Sequence, residues 1–404
     1  MSSLFDRLLR LGPVPDRSPQ RRPVVPLSEM VGGAWIENTA GRCLRADARF
    51  ALDYAHGDLC LRAATEVGAT LLKAAGMGEV STSSLLFLDT ETTGLGRDAG
   101  TFAFLIGLGS FDGTIFEVRQ YFAEEPDDEP AMLRELEGEL GQRATLVTFN
   151  GVGFDWPLLE NRFRYHGLQP PELEGHLDLL RWSRALWRHV LPSCALSSLE
   201  RQVLGVARTG EDVPGYLIPQ LYYDYLRTGN VQPLVGVFYH NLMDVMSMAC
   251  LMARVSSQMG LEPEPSETPC DLLAIGRLHE RLGNHAEARA AYTAATRSPD
   301  LRIAAEGWDR YGLLLKRLGR NDEAAMVWSE RLEGPSPVPF IELAKHLEHR
   351  ERDHAAARDV VLRGLARLER GEIDHPWPDD LWNDLNYRLD RLERRLGRSA
   401  SSAT

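Results

Sequence analysis

Lysine is nearly missing from this 404-residue chain: it occurs as Lys73, Lys316 and Lys345, so almost every positive charge is an arginine. Cysteine is scarce as well. Cys43, Cys60, Cys194, Cys250 and Cys270 are scattered without a CxxC pair, which excludes a disulfide framework and a zinc ribbon and fits reduced, mostly buried thiols. No apolar run reaches the ~18 residues that span a bilayer, so no membrane association is expected. Met1 to Arg10 alternates charge with leucine and lacks an apolar core followed by a cleavage site. That excludes a signal peptide and predicts a cytoplasmic protein. Positive charge is also short: the chain carries a net −13, which argues against tight, extended phosphate binding by this chain alone. The deficit is local. Residues 81–260 hold 23 acidic residues against 13 arginines, a net −10, and acid gathered in one domain is what bound divalent cations would partly neutralise.

What is present divides the chain into four parts. Residues 1–26 are rich in Arg and Pro and read as a loosely ordered lead-in, and 27–80 hold Gly-punctuated segments with no assignment. In the latter, His56 stands alone, and a lone His is more often structural than catalytic. From residue 85 the pattern sharpens. Leu85–Leu88 is a short apolar run, and Phe102–Phe111 and Ile115–Phe122 are two more strand-like runs joined by the hairpin signal Asp112-Gly113. Glu129–Leu140 has helical apolar spacing, Leu146–Phe149 is a fourth strand, and a helix starts near Asp155-Trp156-Pro157, where proline is tolerated. Leu234–Val255 reads as a long closing helix. Three strands, a helix, then a strand and a helix is the order of an α/β RNase-H-like domain, a mixed sheet flanked by helices, placed here at 81–260. After a linker rich in Glu, Pro and Ser (Glu262–Pro269), residues 270–396 change character. Gly283/Gly319, Ala288/Ala324 and Tyr292/Trp328 share one offset of 36 residues, and a degenerate third copy covers Phe340–Leu368 with Ala356 in the alanine position. This period predicts an all-α domain of tetratricopeptide-like repeats, or else an irregular helical bundle.

Three clusters carry chemistry. Asp89-Thr90-Glu91-Thr92-Thr93-Gly94 follows the Leu85–Leu88 strand directly. Residues i and i+2 of a strand face one side, so Asp89 and Glu91 point together, which is costly unless a cation bridges them. Asn150-Gly151-Val152-Gly153-Phe154-Asp155 puts a third carboxylate at a strand-to-helix junction, as metal ligand or as helix cap. In Tyr239-His240-Asn241-Leu242-Met243-Asp244, His240 and Asp244 are neighbours on one helix face. Alone this would be an ordinary surface pair; together with the other two clusters it reads as a ligand with a proton acceptor beside it.

These three clusters resemble the exonuclease motifs of the DEDD (DnaQ-like) nucleases. Further stretches, His176–Leu180, Ser193–Leu196 and Asp212–Gly215, are similar to the YprB-like branch, in which an RNase-H-like exonuclease domain is often followed by tetratricopeptide repeats. The resemblance implies a 3′–5′ exonuclease acting on the end of a single strand of DNA or RNA, with two Mg²⁺ or Mn²⁺ ions held by Asp89, Glu91, Asp155 and Asp244. It implies His240 as general base, with substrate contacts at Thr92, Thr93, Asn150 and Phe154. Better-known relatives carry a Tyr four residues before the last Asp or a His five before it. Here His240 lies four before Asp244 and Tyr239 five before it. Asp178 is read as a helix cap rather than a ligand. Arg162, Arg164, Arg181, Arg184 and Arg188, interleaved with Trp182 and Trp187, either line a strand path or belong to helices with core tryptophans. The repeats would serve a protein partner or orient substrate. The rivals are an endonuclease of the same fold and a catalytically silent binding protein.

Overall fold

Short apolar runs broken by turn residues pair into one twisted sheet in the computed structural model of the chain, which describes residues 25–78, 80–94, 96, 100–143, 145–260 and 271–401, with no side-chain description for Ala69 or 398–401. Most of the N-terminal lead-in and the Glu262–Pro269 linker lie outside the described residues. The chain divides into two compact units near Cys270.

The first unit is built on a seven-stranded sheet of order β1-β2-β7-β6-β5-β8-β9. Its strands are β1 (Gly33–Asn38), β2 (Gly41–Ala51), β5 (Leu85–Thr92), β6 (Ala103–Asp112), β7 (Ile115–Phe122), β8 (Thr145–Thr148) and β9 (Gly175–Asp178). A separate two-residue hairpin, β3 (Ala55–His56) and β4 (Leu59–Cys60), stands between β2 and β5. The β6–β7 turn adopts its shape at Gly113, whose φ of 57° no β-branched residue would tolerate. Strands β1, β2, β7, β6 and β5 pair antiparallel, whereas β5–β8 and β8–β9 are parallel. Residues 27–80, left unassigned from sequence, therefore add two strands to the seven-stranded sheet, with β2 pairing along β7 from Leu44↔Phe122 to Ala51↔Ile115.

Four helices cover the sheet near the site: α1 (Glu129–Leu140), α2 (Asp155–Tyr165), α3 (Leu179–Trp187) and α4 (Leu196–Leu199), the last running on as a wider turn to Leu204. Two more, α5 (Ile218–Thr228) and α6 (Gln232–Gln258), close the unit. By length and composition α6 could cross a membrane, contrary to the sequence expectation, yet 61% of its apolar window is buried in this unit. Its seat is cut by two glycines of β6. A Cβ on Gly107 would lie 2.1 Å from Asn241 Oδ1, and one on Gly109 would lie 2.5 Å from Val245 Cγ1. Gly107 and Gly109 share a strand face and Asn241 and Val245 a helix face, so the two periods mesh only where the strand has no side chains. Arg162 and Glu129 form a buried, forked ion pair joining α2 to α1. Arg162 is thereby committed to packing, and Trp182 and Trp187 are buried in the core, which leaves neither tryptophan to stack a base.

The second unit is helical: α7 (Leu272–Arg281), α8 (His285–Ala295), α9 (Leu301–Arg317), α10 (Asn321–Ser329), α11 (Val338–His346), α12 (His354–Glu369) and α13 (Pro378–Ser401). The 36-residue offset marks real packing. In the first copy Gly276 leaves room for Tyr292, and 36 residues later Gly312 does the same for Trp328. Gly283 and Gly319 both end their helices at positive φ, 74° and 78°. Ala288 and Ala324 are wholly buried. The third copy is offset differently. Ala357, not Ala356, is the buried alanine, and the left-handed position falls on Arg352 at φ 60°. Both lie 33 residues after Ala324 and Gly319, so the shorter inter-helix spacing moved the register by three.

Candidate active site

The site forms where β5 and its parallel neighbour β8 end at the same edge of the sheet. Leu85 to Leu88 are buried on both faces. The burial then alternates, with Thr90 and Thr92 turned inward and Asp89 and Glu91 partly open. The two carboxylates thus share one face. Beyond β8 the chain turns through Asn150, at φ 68°, and enters α2 at Asp155. Asp178, at the end of β9, holds this turn. Its carboxylate accepts from the N–H groups of Asn150 (2.9 Å) and Val152 (3.3 Å) while capping α3 through Leu180 N–H (3.0 Å). Asp155 is buried, and the Thr90 hydroxyl donates to its Oδ1. The acid after β8 is therefore tied to the residue between the two acids of β5.

The fourth acid comes from α6. Asn241 on that helix donates to Asp89 Oδ2 (2.8 Å), and its own Oδ1 accepts from Gln120 Nε2 on β7 (2.9 Å). Asp89, Gly107 and Gln120 are in register across β5, β6 and β7, so one row of the sheet orients Asn241 and, through it, Asp89. One turn of helix away, Asp244 Oδ2 lies 3.6 Å from His240 Nε2.

His240 has a second carboxylate, which the sequence reading did not single out. Asp212 Oδ1 is 2.8 Å from His240 Nδ1. His240 thus stands between two carboxylates, with Asp212 at Nδ1 and Asp244 on the Nε2 side. Arg208 was also missed. Its Nε and Nη2 form a fork on Glu200 (2.8 and 2.6 Å), Nη2 also donates to Asp244 Oδ1, and Nη1 lies 3.1 Å from His240 Nδ1. Tyr239 is occupied elsewhere: its hydroxyl accepts from Thr209 N–H (3.1 Å), beside Arg208.

Electrostatics follow from this packing. Burial, and then the charges of Asp244 and Asp155, hold the Asp89 carboxyl well above the usual range. Burial and the charge of Asp89 do the same to Glu91. Asp155 is pushed up to about 6 by burial, against the Thr90 hydrogen bond. Asp89 and Asp244 open onto a cavity of about 570 Å³, whose lining also includes Phe149, Asn150, Arg184 and Arg188. A second cavity of about 340 Å³ holds His240, Asp212, Arg208 and again Asp244. Asp244 thus stands on the divide between the two.

Residues 86–256 match the RNase H superfamily model. The chain is 30% identical over 370 residues, 87% of its length and 86% of the relative's, to the uncharacterized protein YprB of Bacillus subtilis (strain 168). The chain belongs to the YprB family. A shorter similarity, 38% over 74 residues, links it to the catalytic chain of DNA polymerase epsilon from Kluyveromyces lactis, covering 14% of this chain and 3% of that one. The first unit of this YprB-family chain is an RNase-H-like nuclease fold, and nucleases of that fold generally use divalent metals.

The donor set fits such ions by its chemistry. Asp89, Glu91, Asp155 and Asp244 offer only carboxylate oxygens, the donors hard cations take, and their repulsion in a desolvated floor is what a cation relieves. As the side chains stand, no three potential ligands among the described residues already enclose a metal position. Asp244 is held by Arg208 and Asp155 by Thr90, each through one oxygen. Two of the expected substrate contacts are turned away: Thr92 Oγ1 donates to Gly94 O and Thr93 Oγ1 accepts from Phe102 N–H, both side chains being buried. Asn150 is exposed at the cavity and Phe154 half-buried at the start of α2.

A signal for two of the missed residues was in the chain. Asp212 opens the Asp212–Gly215 stretch, and Asn241 sits between His240 and Asp244. Arg208 and Glu200 had none.

Proposed function

We propose that this chain is a metal-dependent 3′–5′ exonuclease acting on single-stranded nucleic acid, with Asp89, Glu91, Asp155 and Asp244 as ligands of two Mg²⁺ or Mn²⁺ ions. The observation that carries this reading is one cavity lined by Asp89 and Asp244, with an imidazole whose Nε2 faces Asp244. When bound, the ions would activate water and neutralise charge building on the phosphate. The protein's own groups do the rest. Asp212 holds the His240 ring with Nδ1–H toward itself, so that Nε2 takes the proton of the attacking water. Asn241 and Gln120 keep Asp89 turned to the cleft. Arg184 and Arg188 are exposed, one helical turn apart on the cavity wall, and form no ion pair among the described residues. They suit the phosphates of the strand next to the scissile bond.

The similarity to part of a DNA polymerase supports a nucleic-acid substrate. The test is release of mononucleotides from 5′-labelled single strands of DNA and of RNA in Mn²⁺, Mg²⁺ or EDTA, with circular single strands alongside. Stepwise shortening of the linear strands alone, lost in Asp89→Ala and Asp244→Ala, is expected. Cutting of the circles would replace this reading with an endonuclease, and binding without cleavage in either metal would leave a silent nucleic-acid-binding protein.

A further inference from the structure

A line of buried polar groups runs behind Asp244 and ends far from it in sequence. It begins at His56 in the β3–β4 hairpin, which is clamped in place by two left-handed glycines. Asp58 N–H donates to Leu204 O (2.7 Å), a Cβ on Gly57 would lie 1.9 Å from that oxygen, and one on Gly205 would lie 2.4 Å from Asp58 Oδ1. The hairpin therefore seats only on the turn that ends α4, and that seat delivers His56 to α6. His56 Nε2 is 2.8 Å from Ser247 Oγ, and Ser247 Oγ donates to Glu200 Oε1 (2.5 Å). A hydroxyl has one proton, and here it goes to the carboxylate. Nε2 of His56 must then be the donor, with its proton facing the serine. All three side chains are buried. Glu200 in turn grips the guanidinium of Arg208 through two parallel bonds, and the same guanidinium binds Asp244. Asp212, 3.5 Å from Arg208 Nη1, completes its surroundings.

Resting on the metal-site reading above, we propose that Arg208 is a tethered cation that competes with a divalent ion for Asp244, and that the His56–Ser247–Glu200 relay sets the strength of that competition. Arg208 satisfies an Asp244 oxygen that a metal ion would need, so loading requires the carboxylate to turn from the guanidinium to the ion. Arg208 keeps two carboxylates when that happens, Glu200 and Asp212, and does not have to leave its place. Glu200 thus lowers the cost of releasing Asp244. Because Asp244 lies on the wall between the two cavities, the exchange turns it from the His240 side toward Asp89. Arg208 is in this sense a positioning residue: it acts through Asp244.

Competition makes a prediction of opposite signs that simple damage to the site does not. Mn²⁺ binding to the full chain is measured by the loss of the free-ion EPR signal, without substrate. Replacing Arg208 alone would strand a buried glutamate, so the competitor is removed as the double variant Arg208→Gln/Glu200→Gln, which keeps the buried charge balanced. It should bind Mn²⁺ about tenfold tighter than wild type, a change of ~1.4 kcal/mol. Glu200→Gln alone leaves Arg208 with Asp212 and Asp244 only, and should bind Mn²⁺ more weakly than wild type. Unchanged binding in the double variant, or weaker binding in both, overturns the competition while leaving the metal site standing. Absence of Mn²⁺ binding in wild type and double variant alike sinks the metal reading and this inference with it. Circular dichroism melts of each variant show whether a loss is one of folding; Ser247→Ala, which cuts the relay one step further out, should follow Glu200→Gln in sign if the relay matters and match wild type if it does not.

Discussion

Asp155→Asn should make the metal-free protein more stable while removing a proposed metal ligand. Asp155 is buried, and burial pushes its carboxyl from 3.8 up to about 6. Each unit of such a shift corresponds to ~1.36 kcal/mol, so the ionised carboxylate costs ~3 kcal/mol at pH 8. The sign is fixed by which state holds the proton. Between about pH 4 and pH 6 the folded chain holds a proton on Asp155 that the unfolded chain has released, so the contribution of this group to stability falls as pH rises through that window and is constant above it. Asn at 155 still offers an oxygen to the Thr90 hydroxyl and carries no charge, so it escapes the penalty. The advantage of the variant over wild type should be ~3 kcal/mol at pH 8 and about half that at pH 5, because part of the wild-type carboxyl is then protonated. For a unit of this size ~3 kcal/mol corresponds to roughly 6–12 °C in Tm. Melts followed by circular dichroism in EDTA from pH 5 to pH 8 measure it. Millimolar Mn²⁺ should raise the wild-type Tm, since a ligand that binds only the folded state stabilises it, and should move the variant little. A variant no more stable than wild type at pH 8, or an advantage that does not shrink toward pH 5, would show that Asp155 is not held ionised at a cost and would remove the electrostatic case for a cation here.

His240→Ala should slow turnover by ~10²-fold or more with Mn²⁺ binding nearly intact, whereas Tyr239→Phe should change little, its hydroxyl serving the Thr209 N–H; steady-state rates on a short single strand decide, and the reverse pattern moves the base to Tyr239. Gly107→Ala should cost ~1–3 kcal/mol, because the new methyl would displace Asn241 from its place between Gln120 and Asp89; urea unfolding reads the loss, and an unperturbed midpoint would mean that α6 does not rest on that glycine. A chain ending at Cys270 should fold and still degrade short oligonucleotides, since it is one of two compact units; a folded but inactive product would mean that the helical unit completes the site.

Much of the sheet was legible because its signals are local. The Leu85–Leu88 run leading straight into Asp89 and Glu91, the Asp112-Gly113 turn and the helical spacing of Glu129–Leu140 each depend on neighbours a few residues away, and all three stand where the sequence puts them. So do the strand face shared by Asp89 and Glu91 and the helix face shared by His240 and Asp244. The cap at Asp178 was legible for the same reason. What the sequence left out is long-range. Residues 33–51 join the sheet only because β7 leaves a free edge beside them, and no period within 33–51 announces that partner. Asp212 reaches His240 across 28 residues and Arg208 reaches Asp244 across 36. Both come from irregular chain between α4 and α5, whose path is decided by which surfaces it can cover. A side chain's place in an element follows from backbone periodicity, which the sequence carries directly. The partner that a loop side chain finds follows from the packing of the elements around it, and that exists only once the whole unit has buried its core.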